Sequence, residues 1–192
     1  MHFDFEKIVS DDKCLLGYLY EFCQRPLCSP YYNKTELKEY DVIFGEMIRR
    51  YNGDAYSRDE VKRYLRGSEY QGNLYRIISS VYTDKMYDDG EYERIIPKID
   101  WNGLASSWSK SYDFSNFNKV NPYLDYTFIY ANTGSSIGID VNKMFEYFDY
   151  DNITSNENEV IFPMDEKYVI KVYRKIKPQQ FKEVMDNIIK RL

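Results

Sequence analysis

The chain has 192 residues, 43% of them hydrophobic and 30% charged, with 26 Lys and Arg against 31 Asp and Glu for a formal net charge of −5. That length suits one ordinary domain, the apolar share excludes an intrinsically disordered chain, and no stretch approaches the ~20 consecutive apolar residues of a membrane span. An acidic average weighs against broad phosphate binding and leaves room only for a local basic patch.

The first ten residues, Met1 to Ser10, hold acids and no apolar run of signal-peptide length, so a cytosolic protein is expected, with His2 at a mobile end. Its one histidine, His2, and its three cysteines, Cys14, Cys23 and Cys28, leave a zinc centre without ligands and a histidine-based nucleophile without a placed base. Reduced structural thiols and no metal are the expectation. Leu15, Leu19, Phe22 and Cys23 recur at helical spacing behind Asp11 and Asp12, and Pro26 stops that run. A second helix is expected after Thr35, with Leu37, Tyr40, Phe44, Met47, Ile48 and Tyr51 on one stripe and Gly53 at its end. Ser57 and Glu60 have capping-box spacing for a third, which carries Val61, Tyr64 and Leu65 inward.

From about Asn73 the pattern changes to short apolar or alternating runs broken by Asn, Asp and Gly, the texture of strands and turns. Leu74–Ile78, Tyr126–Ala131, Ile137–Val141, Glu159–Phe162 and Tyr168–Tyr173 are the expected strands of a small mixed sheet. Asn142–Phe148 reads as a short helix, and Pro178 opens a final one with Phe181, Val184, Met185, Ile188 and Leu192 facing the body. The whole reads as one α+β unit with a helical N-terminal portion. Its 21 tyrosines reflect a bias toward Tyr, Asn, Lys and Ile more than a stacking surface for nucleic acid.

Three polar features interrupt this pattern. Ser107 and Ser109 in LASSWSKSYDFSNF share one face if the segment is a strand, with Trp108 turned away, although a solvated turn reads the same residues as well. Glu157 and Glu159 in NENEVIFP share the same spacing before an apolar run closed by Pro163. Two carboxylates on one face repel unless a cation or substrate lies between them; a hydrated strand entrance is the plainer reading. Arg76, inside the apolar NLYRII, needs an anionic partner, either a neighbouring carboxylate or a ligand's phosphates.

The order of these features, an arginine strand, a Ser-x-Ser strand, then Glu-x-Glu leading into an apolar strand, resembles the toxin-type mono-ADP-ribosyltransferases of bacteria and phages. The resemblance covers about Leu74 to Tyr173, with SWSKSYDFSNF similar to the family's serine strand and ENEVIFP, continuing into KYVIKVYRK, similar to its recognition turn and catalytic strand. It implies a single domain over 1–192. Residues 1–70 would be a helical portion, and 71–192 an NAD-binding core built on an ADP-ribosyltransferase-like split mixed β-sheet.

It further implies that NAD is a consumed substrate held at Arg76, Ser107, Trp108 and Ser109. Ser107 would orient Glu159 and the nicotinamide ribose, and Arg76 would hold the pyrophosphate. Glu159 would be the decisive catalytic carboxylate, stabilising positive charge as nicotinamide departs. Glu157 would help deprotonate an acceptor such as arginine, while Tyr150, Asn156 and Glu157 in and after FDYDNITSN would recognise that acceptor. Expected partners are NAD and a macromolecule, protein ahead of nucleic acid, with an antitoxin or a host-target complex conceivable for an effector of this type. Hydrolysis of NAD, and an inactive transferase-like inhibitor, stand as alternatives. Two positions depart from the family: Ile77 follows Arg76 where Gly is frequent, and Trp108 stands where Thr is usual. The Gly in YLRG makes Arg66 a rival for the arginine role, but it ends an expected helix whereas Arg76 has strand-like flanks.

Overall fold

Helices form first because the early apolar residues recur at three- and four-residue spacing. The structure, a computed structural model, describes residues 4–24, 38–53, 58–86, 92–95, 99, 101–112, 123–150 and 158–189. At α1 (Phe5–Ser10) and α2 (Asp12–Cys23) the carboxylates of Asp4 and Asp11 accept first-turn backbone N–H groups, which stabilises each helix start. In α1 Val9 is fully buried, and the Arg50 guanidinium lies 3.9 Å from the centre of the Phe5 ring. Helix α3 (Glu39–Asn52) buries Tyr40, Phe44, Met47 and Ile48 as its stripe predicts, and Gly53 follows its last turn. Helix α4 (Arg58–Leu65) buries Val61 and Leu65 and leaves Tyr64 half-buried. His2, Pro26, Cys28, Thr35, Leu37 and Ser57 lie outside the described residues.

The strands are β1 (Glu69–Tyr70), β2 (Asn73–Ser79), β3 (Val81–Met86), β4 (Tyr92–Ile95), β5 (Ala105–Ser109), β6 (Tyr126–Asn132), β7 (Gly138–Asp140), β8 (Glu159–Pro163) and β9 (Val169–Ile176). Seven of them form one sheet in the order β1-β7-β8-β5-β2-β6-β9, while β3 and β4 pair apart from it. Every pairing is antiparallel, which corrects the expectation of a mixed sheet. The expected Ile137–Val141 strand is cut short because Asp140 caps helix α5 (Val141–Tyr147), accepting from the backbone N–H groups of Asn142 and Lys143. Gly138 lets β7 lie close on β8, since a Cβ there would meet Val160 Cγ1 at 2.7 Å. A short 3-10 turn at Pro178–Gln180 leads into α6 (Phe181–Ile189).

Strand alternation sorts the core into three clusters. Ala105, Ile139 and Ile161 pack against α1, α2, α3 and α5. On the same face of the sheet, Tyr75, Ile77, Phe128 and Tyr130 form a second cluster with Phe181 and Met185 of α6. The reverse face carries Leu74, Trp108, Ile129, Val160 and Phe162, with Ile99 and Met164. One face therefore has two helical covers, one packed on β5, β7 and β8 and the other on β2 and β6, with the boundary between them falling between β5 and β2.

Candidate functional site

Strands β8, β5 and β2 are consecutive in the sheet, so the three polar features, distant in sequence, come to adjacent strands. Ser109 stands directly opposite Glu159 in the β5–β8 ladder, and Ser107 opposite Ile161. Opposite residues of an antiparallel pair project to the same face. Ser107, Ser109 and Glu159 thus share the face that carries the helices. Glu159 is only 3% exposed and Ser109 only 5%, while Ser107 is half-buried. A carboxylate so withdrawn from water is costly to keep charged without polar company, and the serine strand runs beside it.

Between β5 and β2 the ladder holds a single registered pair, Tyr75 opposite Ser109. At this seam the Arg76 guanidinium donates from Nη1 to the Ser107 carbonyl. Alternation puts Arg76 on the same side of β2 as Leu74 and Ile78, so its fork meets β5 at the main chain rather than at the serine hydroxyls. Tyr75 lines the other side, stacked on Tyr130 with ring centres 5.5 Å apart and met edge-on by Tyr112 at 5.6 Å. Burial, with Tyr130 close by, pushes the Tyr75 phenol up to about 12, so it stays a neutral donor throughout the physiological range.

The entry of Glu159 into β8 is fixed from several directions. Asn158 adopts a left-handed backbone (φ 50), a conformation Asn tolerates better than most residues, and its carbonyl accepts from the Lys110 N–H at 2.9 Å. Lys110 Nζ also pairs at 2.6 Å with Asp140 Oδ2, a carboxylate 2% exposed. Strand β8 lies between β7 and β5, and Asp140 is opposite Val160, so this ion pair spans β8 at its first residues. Lys110, Asp140 and Asn158 were not legible as site residues. The one available signal was Asn158 immediately before an apolar strand.

The remaining candidates divide clearly. Trp108 is 2% exposed, packs on the reverse face and donates from Nε1 to the Phe162 carbonyl at 3.1 Å, so its ring is turned away from the serines and seats β5 rather than facing a ligand beside them. Ser109 Oγ donates to the Ser111 carbonyl at 2.6 Å and accepts from the Ser111 N–H, closing a local turn. Tyr150 stacks on Phe145 at 5.6 Å beside the helical cluster. Glu157 and Asn156 lie outside the described residues.

Arg66, the rival, is committed elsewhere. Its side chain, 7% exposed, binds the Asp12 carboxylate at 2.6 Å and the carbonyls of Tyr64 and Val9 at 2.7 and 2.8 Å, tying α4 to the first two helices. Among the described residues no group of His, Cys, Asp and Glu is arranged to hold a metal ion, and no helix is long and apolar enough to cross a membrane. No family model, curated protein or solved structure matches the chain.

Proposed function

We propose that this protein is a mono-ADP-ribosyltransferase, which cleaves NAD and passes ADP-ribose to a macromolecule. The observation that carries the reading is Glu159: an acid 3% exposed, directly opposite Ser109, on a strand whose neighbour is bridged to the strand of Arg76. Acids are rarely this buried unless they have polar or charged partners, and catalytic sites are one place that supplies them.

The donor set suits the dinucleotide chemically. A hydroxyl with a carboxylate matches the paired hydroxyls of a ribose. Ser107 and Glu159 would hold the nicotinamide ribose, while Arg76, whose side chain is on the reverse face of β2, would act on the site through the Ser107 carbonyl it binds. NAD supplies an electron-poor ribose carbon and a leaving group that departs without a proton from the enzyme. Glu159 then acts as a fixed anion beside the carbon that becomes positive, and it favours the transition state over the ground state because its position and charge do not have to reorganise. Glycosidase carboxylates stabilise a related charge. Glu157, two residues earlier, would accept the acceptor's proton, with protein side chains such as arginine the first expectation.

The test is nicotinamide release from NAD in a host lysate, with mass spectrometry of both proteins and nucleic acids for an added ADP-ribose. The wild-type chain should release nicotinamide, and Glu159→Gln should lower the rate by about 10²–10³-fold, the scale on which removal of one transition-state partner acts. Full activity in Glu159→Gln would falsify the mechanism. Release without label on any macromolecule would make the protein an NAD glycohydrolase, and absence of NAD binding by calorimetry would leave an interaction module.

A further inference from the structure

The ladder pairings place five polar side chains in one line across the sheet. Glu159 of β8 stands opposite Ser109 of β5, Ser109 opposite Tyr75 of β2, Tyr75 opposite Tyr130 of β6, and Tyr130 opposite Lys171 of β9. Opposite residues project to one face, so the acid, the hydroxyl, the two phenols and the ammonium all belong to the face that carries the helices. Asn73 joins them there, two residues before Tyr75, and its Oδ1 accepts from the Tyr130 hydroxyl at 3.1 Å and from the Asn132 amide at 2.7 Å. The line covers four strand spacings, about 19 Å. Its two ends differ: Glu159 is buried, whereas Lys171 and the neighbouring Asn73 are exposed.

A dinucleotide brings a charged pyrophosphate to any site that cleaves it, and the two cations already described beside β5 face the other way. Arg76 is on the reverse face of β2, and Lys110 reaches Asp140, opposite Val160 of the reverse face. Lys171 is the cation that shares a face with Glu159 and Ser109, and it has no ion-pair partner among the described residues. Burial raises both phenols of the line, Tyr75 to about 12 and Tyr130 above its ordinary 10.0, so neither sets a negative charge beside a phosphate. A lysine on an edge strand also deters edge pairing. Arg174 and Lys175, both exposed, supply that charge on β9 as well, and edge protection does not depend on which face Lys171 takes.

We propose that Lys171 is the phosphate-binding residue of the NAD site, taking the pyrophosphate from the outer end of the line while Ser107 and Glu159 hold the nicotinamide ribose at the inner end. The flexible four-carbon stem of a lysine lets its ammonium reach back across the line from the edge strand. An anion arriving from solvent also meets this exposed charge before it meets the buried carboxylate, so the two opposite charges at the ends of the line orient the dinucleotide. The assignment rests on the transfer reading and adds to it the residue that recognises the anionic part of the substrate.

The experiment measures KM and kcat for NAD at low and high salt, and the affinity for ADP-ribose by calorimetry, in the full chain and in Lys171→Gln, Lys171→Arg and Arg174→Gln, each checked for folding by circular dichroism. Lys171→Gln should raise KM for NAD and weaken ADP-ribose by about 5-fold or more, the scale of one hydrogen bond between charged groups, with kcat within about twofold of the parent value. It should also flatten the salt dependence of KM. Lys171→Arg should recover most of the affinity. Arg174→Gln, on the opposite face of β9, should leave every value within about twofold, as expected of a surface charge away from the ligand. Unchanged affinity in Lys171→Gln, in a chain whose parent cleaves NAD, overturns this assignment and leaves the transfer reading standing. An equal loss in Arg174→Gln overturns it too, because the effect is then one of net charge. A parent chain that binds neither NAD nor ADP-ribose removes the transfer reading and this assignment together.

Discussion

Strands β8 and β9 are both rich in Val and Ile, yet they have opposite surroundings. In β8 the four residues from Glu159 to Phe162 are all buried, because the cluster under α1, α2, α3 and α5 covers one face and Trp108, Ile99 and Met164 cover the other. In β9 only Ile176 is fully buried, the strand has one neighbour, and its ladder shifts register twice. The difference shows where this fold can hold an acid rigidly and where it can present charge to a partner. Strand β2, with Arg76 on its reverse face, belongs to the α6-covered half, Glu159 to the half under the N-terminal helices, and a single registered pair with one guanidinium contact joins the halves at β2 and β5.

The largest expected effect sets the two covers against each other. Phe44 is fully buried and meets Phe22 edge-on at 5.7 Å, so Phe44→Ala should cost about 3–5 kcal/mol. Val172 on β9 is half-buried, and Val172→Ala should cost about 1 kcal/mol. Urea denaturation measures both. Equal losses would mean that the halves do not differ in packing as described.

A smaller effect compares two ion pairs. Asp140 is 2% exposed and holds Lys110 across β8, whereas Asp125 and Lys177 are 28% and 36% exposed. Asp140→Asn keeps a capping oxygen for α5 but leaves Lys110 without its charge partner, and it should cost about 1–2 kcal/mol. Asp125→Asn should stay within about 0.5 kcal/mol. If Glu159 has the proposed role, Lys110→Met should also lower the turnover of NAD about tenfold with little change in KM. Lys110→Arg should recover much of that loss, because the lysine positions the β8 entry and does not touch substrate.

Helices α2, α3 and α4 and the five expected strands were legible as local signals, a period of 3.6 in α2 and α3 above all, whereas the strand at Ala105–Ser109 came from the family resemblance because its residues alone also fit a solvated turn. Arg76 was preferred to Arg66 on its flanks alone, and both guanidiniums hold protein groups: Arg76 the Ser107 carbonyl, Arg66 the Asp12 carboxylate and the Val9 carbonyl. Other features depend on pairings that no local window contains. The adjacency of β8, β5 and β2 joins residues 76, 107 and 159, and the Lys110–Asp140 bond crosses a third strand. Helix α1 was missed because six residues are too few to display a period, and β3, VYTDKM, because its polar residues break any apolar run.

The smallest expected effect lies in the helical cover, far from the seam. A hydrogen bond from the Tyr64 hydroxyl, and after it the Arg50 guanidinium, hold Glu6 below its ordinary value of 4.5, and Glu6 in turn raises the Tyr64 phenol above 10.0. For an acid lowered on folding, the stabilisation is complete above about pH 4.5 and is lost as pH falls through the lower folded value; for a phenol raised on folding, it is complete below about pH 10 and is lost as pH rises beyond it. The contact should therefore weaken at both extremes. Because Glu6 is mostly exposed, each loss is only about 0.5 kcal/mol and shrinks in high salt. Denaturation of Glu6→Gln beside the parent chain from pH 3 to 6 reads the acidic limb, and the variant should be the flatter of the two. Since this contact ties α1 to α4 and does not touch β5 or β8, the pH profile of nicotinamide release, if the protein has the proposed activity, should be the same in both chains. A shift in that profile would mean that the helical cover and the seam are coupled, contrary to the rigidity assigned to β8.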